Sequence, residues 1–467
     1  MFERYRVIHF VGIGGIGMSG IAELLHNLGY VVTGSDLRES ETTRRLRGLG
    51  INVYIGHKEE NVDDAHVLVI SSAISNNNPE VLEAKRRSIP VIPRAEMLAE
   101  IARLKYGILV AGAHGKTTTT SLTSAILSHS GFDPTVVIGG RLKATGSNAR
   151  LGRGDFIVAE ADESDGSFLK LTPTIAVVTN IDKEHMDFFK NMSSLKKAFL
   201  EFLNKVPFYG VSIICIENRH LKSLLPFVYR RFLTYGLSED AEIRAVNIVR
   251  GIMSTTFEVF YKGKNLGTFY IPLAGVHNVL NALASIAVGI VLNINITLIK
   301  EALRDFSGIQ RRLEFKGEVG GIKVYDDYGH HPTEVVATLN ALREGLMLDR
   351  RGGRLHVVFQ PHRYTRTRDL LGDFAKAFMA SDYLIVLDIY PAGEKPIEGI
   401  NSELLVKKIS EKGFKRAIYY KEREKAVRGL VKNAVNGDVI LTLGAGDVWK
   451  MGEVIIKELK KIWEKKD

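Results

Sequence analysis

Short apolar runs alternate with stretches of helical spacing along the whole chain. YRVIHFV reads as a strand, GIGGIGMSG as a glycine turn, IAELLHNLGY as a helix and YVVTGSD as a second strand. HVLVISSAI and IPVIPR continue the alternation, AEMLAEIARLK is a helix, and the strand YGILVAGA opens a new segment, which places a first boundary near Lys105. From there HGKTTTT turns into the helix SLTSAILSHSG, and DFIVAEAD and TIAVVTNID are apolar runs ending in acids. TTFEVFYKGKNLGTFYIPL predicts added β-hairpins ahead of the helix HNVLNALASIAVGIVL, and SGIQRRLEFKGE reads as a domain connection. The remainder repeats the theme: IKVYDDY, RLHVVFQP, YLIVLDIY and DVILTLGAG are strands separated by helical patterns such as EVVATLNALREGL, and a third parallel sheet is expected.

The expected fold class is therefore α/β in three domains, 1–105, 106–310 and 311–467. The length of 467 residues agrees, being too great for one hydrophobic core. The composition, 45% hydrophobic and 25% charged, is that of a globular protein. No secretory leader is expected from MFERYRVIHFVGIGG, and LASIAVGIVLNINI, broken by Asn293 and Asn295, is too short to span a bilayer. A soluble, cytoplasmic protein without membrane insertion is the expectation. The one cysteine, Cys215, excludes intrachain disulfides and, inside VSIICIE, reads as a buried strand residue. The net charge of +10 is spread over helix-like stretches such as VIIKELKKIWEKKD; with no zinc-ligand cluster or aromatic RNA-binding signature, it does not argue for nucleic acid.

Two glycine-rich turns carry candidate chemistry. Gly12, Gly14 and Gly17 form GxGxxG after a strand, and Asp36 ends the next strand at the distance of a ribose-binding acid. The turn could hold a dinucleotide or another nucleotide diphosphate, or simply connect strand to helix. The second turn runs through Gly112, Ala113, His114, Gly115, Lys116, Thr117 and Thr118, again between strand and helix. Backbone NH groups at a helix start bind phosphate, Lys116 can neutralise the outer phosphates of ATP, and Thr117 can support magnesium. It is a GxxGKT form, since Val110 stands where the longer phosphate-loop pattern has its first glycine. Two acidic strand ends follow: Glu160 with Asp162, Glu163 and Asp165, and Asn180 and Asp182 with His185. Magnesium favours oxygen ligands, so these ends are a candidate metal site.

GxxGKTT, AEADESD, TNIDKEHMD and LAGVHNVLNALA, in this order across nearly the whole chain, resemble the Mur ligase family. GIGGIGMSGIA, DDYGHHPTEV and QPHRYTRT narrow the resemblance to its members that act on UDP-N-acetylmuramic acid and L-alanine. The resemblance implies a Rossmann-like UDP-sugar domain, a central ATPase domain, and a Rossmann-like carboxy-terminal domain that contacts the amino acid and closes over the site. It implies ATP and Mg2+ as cofactors and formation of an amide through an acyl phosphate, in peptidoglycan synthesis. Gly14, Gly15 and Gly17 with Asp36 would then hold the UDP-sugar. ATP would meet Gly112 through Thr118, His277, Asn281 and Arg312, and magnesium would meet Thr117, Glu160 and His185. Tyr328, His330, His362, Arg363 and Arg366 would surround L-alanine and the reacting carboxylate, with Lys116, His330, Arg363 and Arg366 as the catalytic set. Arginine suits that place, because its paired hydrogen bonds clamp a carboxylate and leave the amine free. Ala113 departs from the family, which commonly has threonine there. Nothing in SSLKKAFLEF points to the carbamylated lysine of sister ligases. A monomer or weak homo-oligomer is expected. Alternatives are a ligase recycling a peptide onto UDP-N-acetylmuramic acid, an NAD-dependent oxidoreductase, and a nucleotide-regulated binding protein.

Overall fold

The structure, a computed structural model, describes residues 6–71, 73–139, 149–348 and 352–463. The first residue of the YRVIHFV run, Ser72 of HVLVISSAI and the last four residues of the final helical pattern lie outside them.

The first sheet has five strands, β1 (Val7–Val11), β2 (Val31–Asp36), β3 (Asn52–Ile55), β4 (Val67–Ile70) and β5 (Val91–Pro93), in the order β3-β2-β1-β4-β5. All pairings are parallel. The central strand β1 is buried over Ile8–Val11, as a parallel strand covered on both faces must be. Helix starts are specified locally: Ser40 and Thr43 form a capping box ahead of Glu41–Gly48, and Asn78 caps Pro79–Arg86, whose first residue is the proline that suits that position.

The second sheet comprises β6 (Tyr106–Ala111), β7 (Thr135–Val137), β8 (Ala149–Arg150), β9 (Phe156–Glu160), β10 (Ile175–Val178), β11 (Val211–Cys215), β12 (Phe232–Gly236), β13 (Ile243–Arg250), β14 (Thr255–Tyr261) and β15 (Lys264–Ile271). Its order is β15-β14-β13-β12-β11-β10-β6-β9-β7-β8. The hairpin pattern predicted around TTFEVFY is thus present as β14 and β15, and Cys215 is buried in β11. Burial pushes the Cys215 thiol up to about 11, so it is an inert core group. Strand β6 lies between β9 and β10 with parallel pairing on both sides, which brings the carboxyl ends of all three to one edge.

The third sheet has β16 (Glu314–Val319), β17 (Ile322–Asp327), β18 (Leu355–Phe359), β19 (Tyr383–Val386), β20 (Ala417–Tyr419) and β21 (Val439–Leu443), ordered β16-β17-β21-β18-β19-β20. Alternation along these strands builds two cores. Tyr325, Val357, Phe359, Leu441 and Leu443 pack with residues of the helices Pro332–Leu348, Leu371–Ala377 and Ser402–Glu411, while Val324, Val358 and Ile440 pack with those of Arg423–Asn433 and Trp449–Trp463. The sheet departs from the expected all-parallel form. The end of SGIQRRLEFKGE is not a connection but strand β16, antiparallel to β17. Gly320 and Gly321, at φ 56° and 76°, make the two-residue hairpin turn between them, a backbone that side-chain-bearing residues rarely adopt.

The chain forms two compact units: Met1–Asn247 with Phe257–Phe269 and Asn278–Ser307, and Ile248–Thr256 with Tyr270–His277 and Gly308–Asp467. Among the described residues no helix is long and apolar enough to cross a membrane.

Candidate active site

In the first unit, Gly112 to Gly115 link β6 to the helix Lys116–His129. Gly112 (φ 134°) and Gly115 (φ 83°) sit where side chains are disfavoured, and a Cβ on them would collide with Thr179 Oγ1 and Asn281 Oδ1 respectively. The end of β10 clamps the loop. His114 N donates to Asn180 Oδ1 (2.8 Å), Asn180 Nδ2 and Thr179 Oγ1 donate to the His114 carbonyl (2.9 and 2.6 Å), and the His114 ring lies 2.9 Å from Asp182. The helix start that follows presents Lys116, Thr117 and Thr118 to this edge, the last two buried.

Lys116 Nζ donates to the Gly112 carbonyl (2.6 Å) and to both oxygens of buried Glu163 (3.0 and 2.9 Å). Burial opposes its charge, but Glu163, Asp162 and Glu184 outweigh that and raise the pKa, so the ammonium stays protonated. Glu163 Oε, Glu184 Oε and a His185 ring nitrogen all lie within 4.8 Å of one another. This mixed oxygen and imidazole set is one that a divalent cation accepts. Of the predicted metal ligands, His185 is in that cluster, Thr117 is in the first helical turn beyond Lys116, and Glu160, at the end of β9, accepts the Gly139 NH (2.7 Å). Of the partners of His185 in the cluster, Glu163 belongs to the acidic strand end read as a candidate metal site, while Glu184 was not singled out from sequence. Its signal was present: it lies in the acidic strand end TNIDKEHMD.

The first glycine turn is braced differently. Gly12 N and Ile13 N donate to the Ser35 carbonyl (2.8 and 2.9 Å), and Gly14 N donates to Asp36 Oδ2 (2.9 Å). A Cβ on Gly14 would lie 2.7 Å from that carboxylate oxygen, and one on Gly17 would lie 3.0 Å from Arg94 Nη1; Gly15 caps the helix Ile16–Asn27. Arg94, which no motif singled out, covers Gly17 and reaches Asp162 Oδ2 at 3.3 Å.

In the second unit, aromatic and cationic side chains form a cluster. Tyr328 and His330 are 5.4 Å apart by ring centroids, His330 and His362 5.7 Å, and His362 stacks on Tyr390 at 5.6 Å. Arg311 and Arg312 lie over the Tyr328 ring at 4.9 and 5.5 Å. Arg366 Nη1 is 3.4 Å from His362 Nδ1, and Arg363, at φ 71°, donates its backbone NH to the Tyr390 carbonyl (2.8 Å). Burial, then His330, Arg366, Arg363 and Arg311, push the His362 pKa down to about 3, which keeps its ring neutral. Burial likewise raises Asp327 to about 6; its oxygens accept Leu313 N and Gly329 N, holding the DDYG turn. His277 is lowered to about 4, by burial and then by Arg312. Asn281, four residues on from His277 along the helix Val276–Val291, instead accepts from Thr119 Oγ1 (3.3 Å) in the first unit. The predicted residues thus fall into two groups: the two glycine turns, the acids and Asn281 in one unit, and His277, Arg312, Tyr328, His330, His362, Arg363 and Arg366 in the other.

The chain matches three patterns end to end: "Mur ligase family, catalytic domain" over residues 7–106, "Mur ligase middle domain" over 110–289, and "Mur ligase, glutamate ligase domain" over 311–446. It is 55% identical over 460 residues to the UDP-N-acetylmuramate--L-alanine ligase of Geotalea uraniireducens, covering 98% of this chain and 99% of that protein. The ligase of the same name from Geobacter sulfurreducens is 53% identical over 462 residues, covering 99% of each. Among solved structures, the UDP-N-acetylmuramate-alanine ligase of Thermotoga maritima superposes with a TM-score of 0.83 at 28% identity, over 97% of this chain and 99% of that one. A murein peptide ligase from Psychrobacter arcticus, at 22% identity and a TM-score of 0.72 over 97% and 98%, shares the fold. With three successive patterns and near-complete relatives in agreement with the loop and strand-end geometry, the chain belongs to the Mur ligase family.

Proposed function

We propose that this protein is the ATP-dependent ligase that joins the lactyl carboxylate of UDP-N-acetylmuramic acid to the amine of L-alanine, in peptidoglycan synthesis. The observation that carries the reading is the 55% identity, over nearly the full length, to ligases named for these two substrates. In this reading residues 1–105 hold the UDP-sugar, 106–310 hold ATP and 311–467 supply the amino-acid contacts. The protein works in the cytoplasm, where ATP and UDP-sugars are made. An oxidoreductase would leave the second glycine turn and its lysine without a task.

The muramic carboxylate attacks the γ-phosphorus of ATP, ADP leaves, and an acyl phosphate forms. Gly112 to Thr118 cradle the phosphates with backbone NH groups, and Lys116 exchanges Glu163 for phosphate oxygens, neutralising charge on the transferring group. His277, Asn281 and Arg312 contact the nucleotide. Thr117, Glu160 and His185 hold magnesium, with Glu163 and Glu184 beside His185; the ion supplies charge neutralisation at the phosphates when bound. Gly14, Gly15, Gly17 and Asp36 position the UDP-sugar. Arg363 and Arg366 clamp the alanine carboxylate, while Tyr328, His330 and His362 enclose the amine.

The test is phosphate release from ATP and magnesium with UDP-N-acetylmuramic acid and L-alanine given separately and together, with mass spectrometry of the nucleotide product. Release requiring both, with formation of the UDP-muramoyl-alanine amide, is the expected outcome. Active protein that forms the amide only with a peptide acceptor would overturn it.

A further inference from the structure

The start of the helix Pro332–Leu348 joins His330 and Arg312 through Glu334, a residue of DDYGHHPTEV that had been given no role. Glu334 Oε2 accepts the backbone NH of His330 (3.0 Å) and of His331 (3.3 Å), so the carboxylate reaches back over the first turn as a helix-capping acid does. The same oxygen is 3.4 Å from His330 Nδ1, and the Tyr328 carbonyl oxygen is 3.1 Å from that nitrogen. Both neighbours are acceptors, so Nδ1 carries the proton and the lone pair is on Nε2. The other oxygen, Oε1, is 3.7 Å from Arg312 Nη1.

We propose that Glu334 is a positioning residue for amide formation, fixing the ring and tautomer of His330 so that Nε2 takes the proton of the attacking amine. The inference rests on the ligase reading above. In the step, the alanine nitrogen adds its lone pair to the carbonyl carbon of the acyl phosphate, and the carbonyl π electrons move to oxygen. The nitrogen gives a proton to His330 Nε2, the C=O re-forms, and the C–O bond to phosphate breaks with its electron pair leaving on phosphate. His362 does not share the task, since burial and the cations around it hold its pKa near 3 and make it a weak base. Among the described residues, the charged and titratable groups facing His330 include Glu334 from the helix, Tyr328 from its own turn with Arg311 and Arg312 over that ring, and His362 with Arg366 behind it.

Glu334→Gln separates this role from a merely structural one, because the amide oxygen can still accept the two backbone NH groups that start the helix. The measurement compares L-alanine with hydroxylamine as acceptor. Hydroxylamine is unprotonated at neutral pH, is strongly nucleophilic, and traps the acyl phosphate as a hydroxamate without needing a base. The variant is expected to lose about 100-fold in amide formation with alanine, the scale of one general base. Its hydroxamate rate should stay near that of the unmodified protein, and its ATP KM within about twofold, because an ion pair at this spacing is weak. Glu334→Asp, which keeps the carboxylate, should recover part of the alanine rate. Equal losses with both acceptors would overturn the proposal and leave Glu334 a helix cap. Should the unmodified protein make hydroxamate but no alanine amide, the choice of acceptor fails instead, and that result is distinct from either outcome of the variant.

Discussion

The chain builds the same backbone device twice, strand, glycine turn and helix start, and equips it in opposite ways. At the second turn the cation is built in: Lys116 opens the helix and is held by the Gly112 carbonyl and Glu163. At the first turn an acid stands instead, Asp36 accepting Gly14 N, and a cation, Arg94, comes from a helix some eighty residues along and covers Gly17. The difference teaches that a glycine turn announces only that phosphate can approach. The side chains around it decide whether phosphate is merely held or is also activated for transfer.

Four substitutions and one omission can break or sharpen that contrast. Lys116→Met should abolish phosphate transfer, by about 10³-fold or more in kcat, while calorimetric titration shows binding of UDP-N-acetylmuramic acid unchanged. Magnesium chelation should stop ATP turnover as completely and leave the same titration unaltered; a matching loss of UDP-sugar binding would mean that the two turns are not independent. Gly115→Ala, forced into a left-handed backbone against Asn281, should raise the ATP KM by about 10- to 100-fold. Arg94→Ala should raise the KM for the UDP-sugar about 10-fold through loss of charge-assisted hydrogen bonds, with the ATP KM held. Asp36→Asn keeps an oxygen for Gly14 N and should change either KM by about twofold at most in steady-state assays. A large effect there would show that Asp36 acts on the UDP-sugar through its charge and not only by holding the glycine turn that positions it.

What sequence made legible follows from which signals are local. Strands such as Ile108–Ala111 and Ile175–Val178 are unbroken apolar runs buried on both faces, and they read directly. Strand β16 did not, because Glu314–Val319 is mostly polar and is ordered by its partner β17 across the Gly320–Gly321 turn. The short edge strand β20 and the alternating β13 escaped for a similar reason, being fixed by pairing more than by composition. At the site, Lys116, Gly112 and Gly115 were readable because phosphate binding imposes their spacing. Arg94 and Glu334 were not, since each matters through residues that folding brings beside it: Gly17 and Asp162 for one, Arg312 and the backbone of His330 for the other. The pairing of His185 with Glu163 also spans two strand ends, and no spacing rule encodes it.

The pairing of Lys116 with Glu163 changes what nucleotide binding has to accomplish. A loop whose ammonium already has a counter-ion, and whose carbonyls and amides are clamped by Thr179 and Asn180, keeps its shape with no anion present. On the ligase reading, binding would then be an exchange of partners rather than an ordering event: phosphate would take the lysine and release Glu163 from it. The affinity would then record the difference between two anions competing for one ammonium.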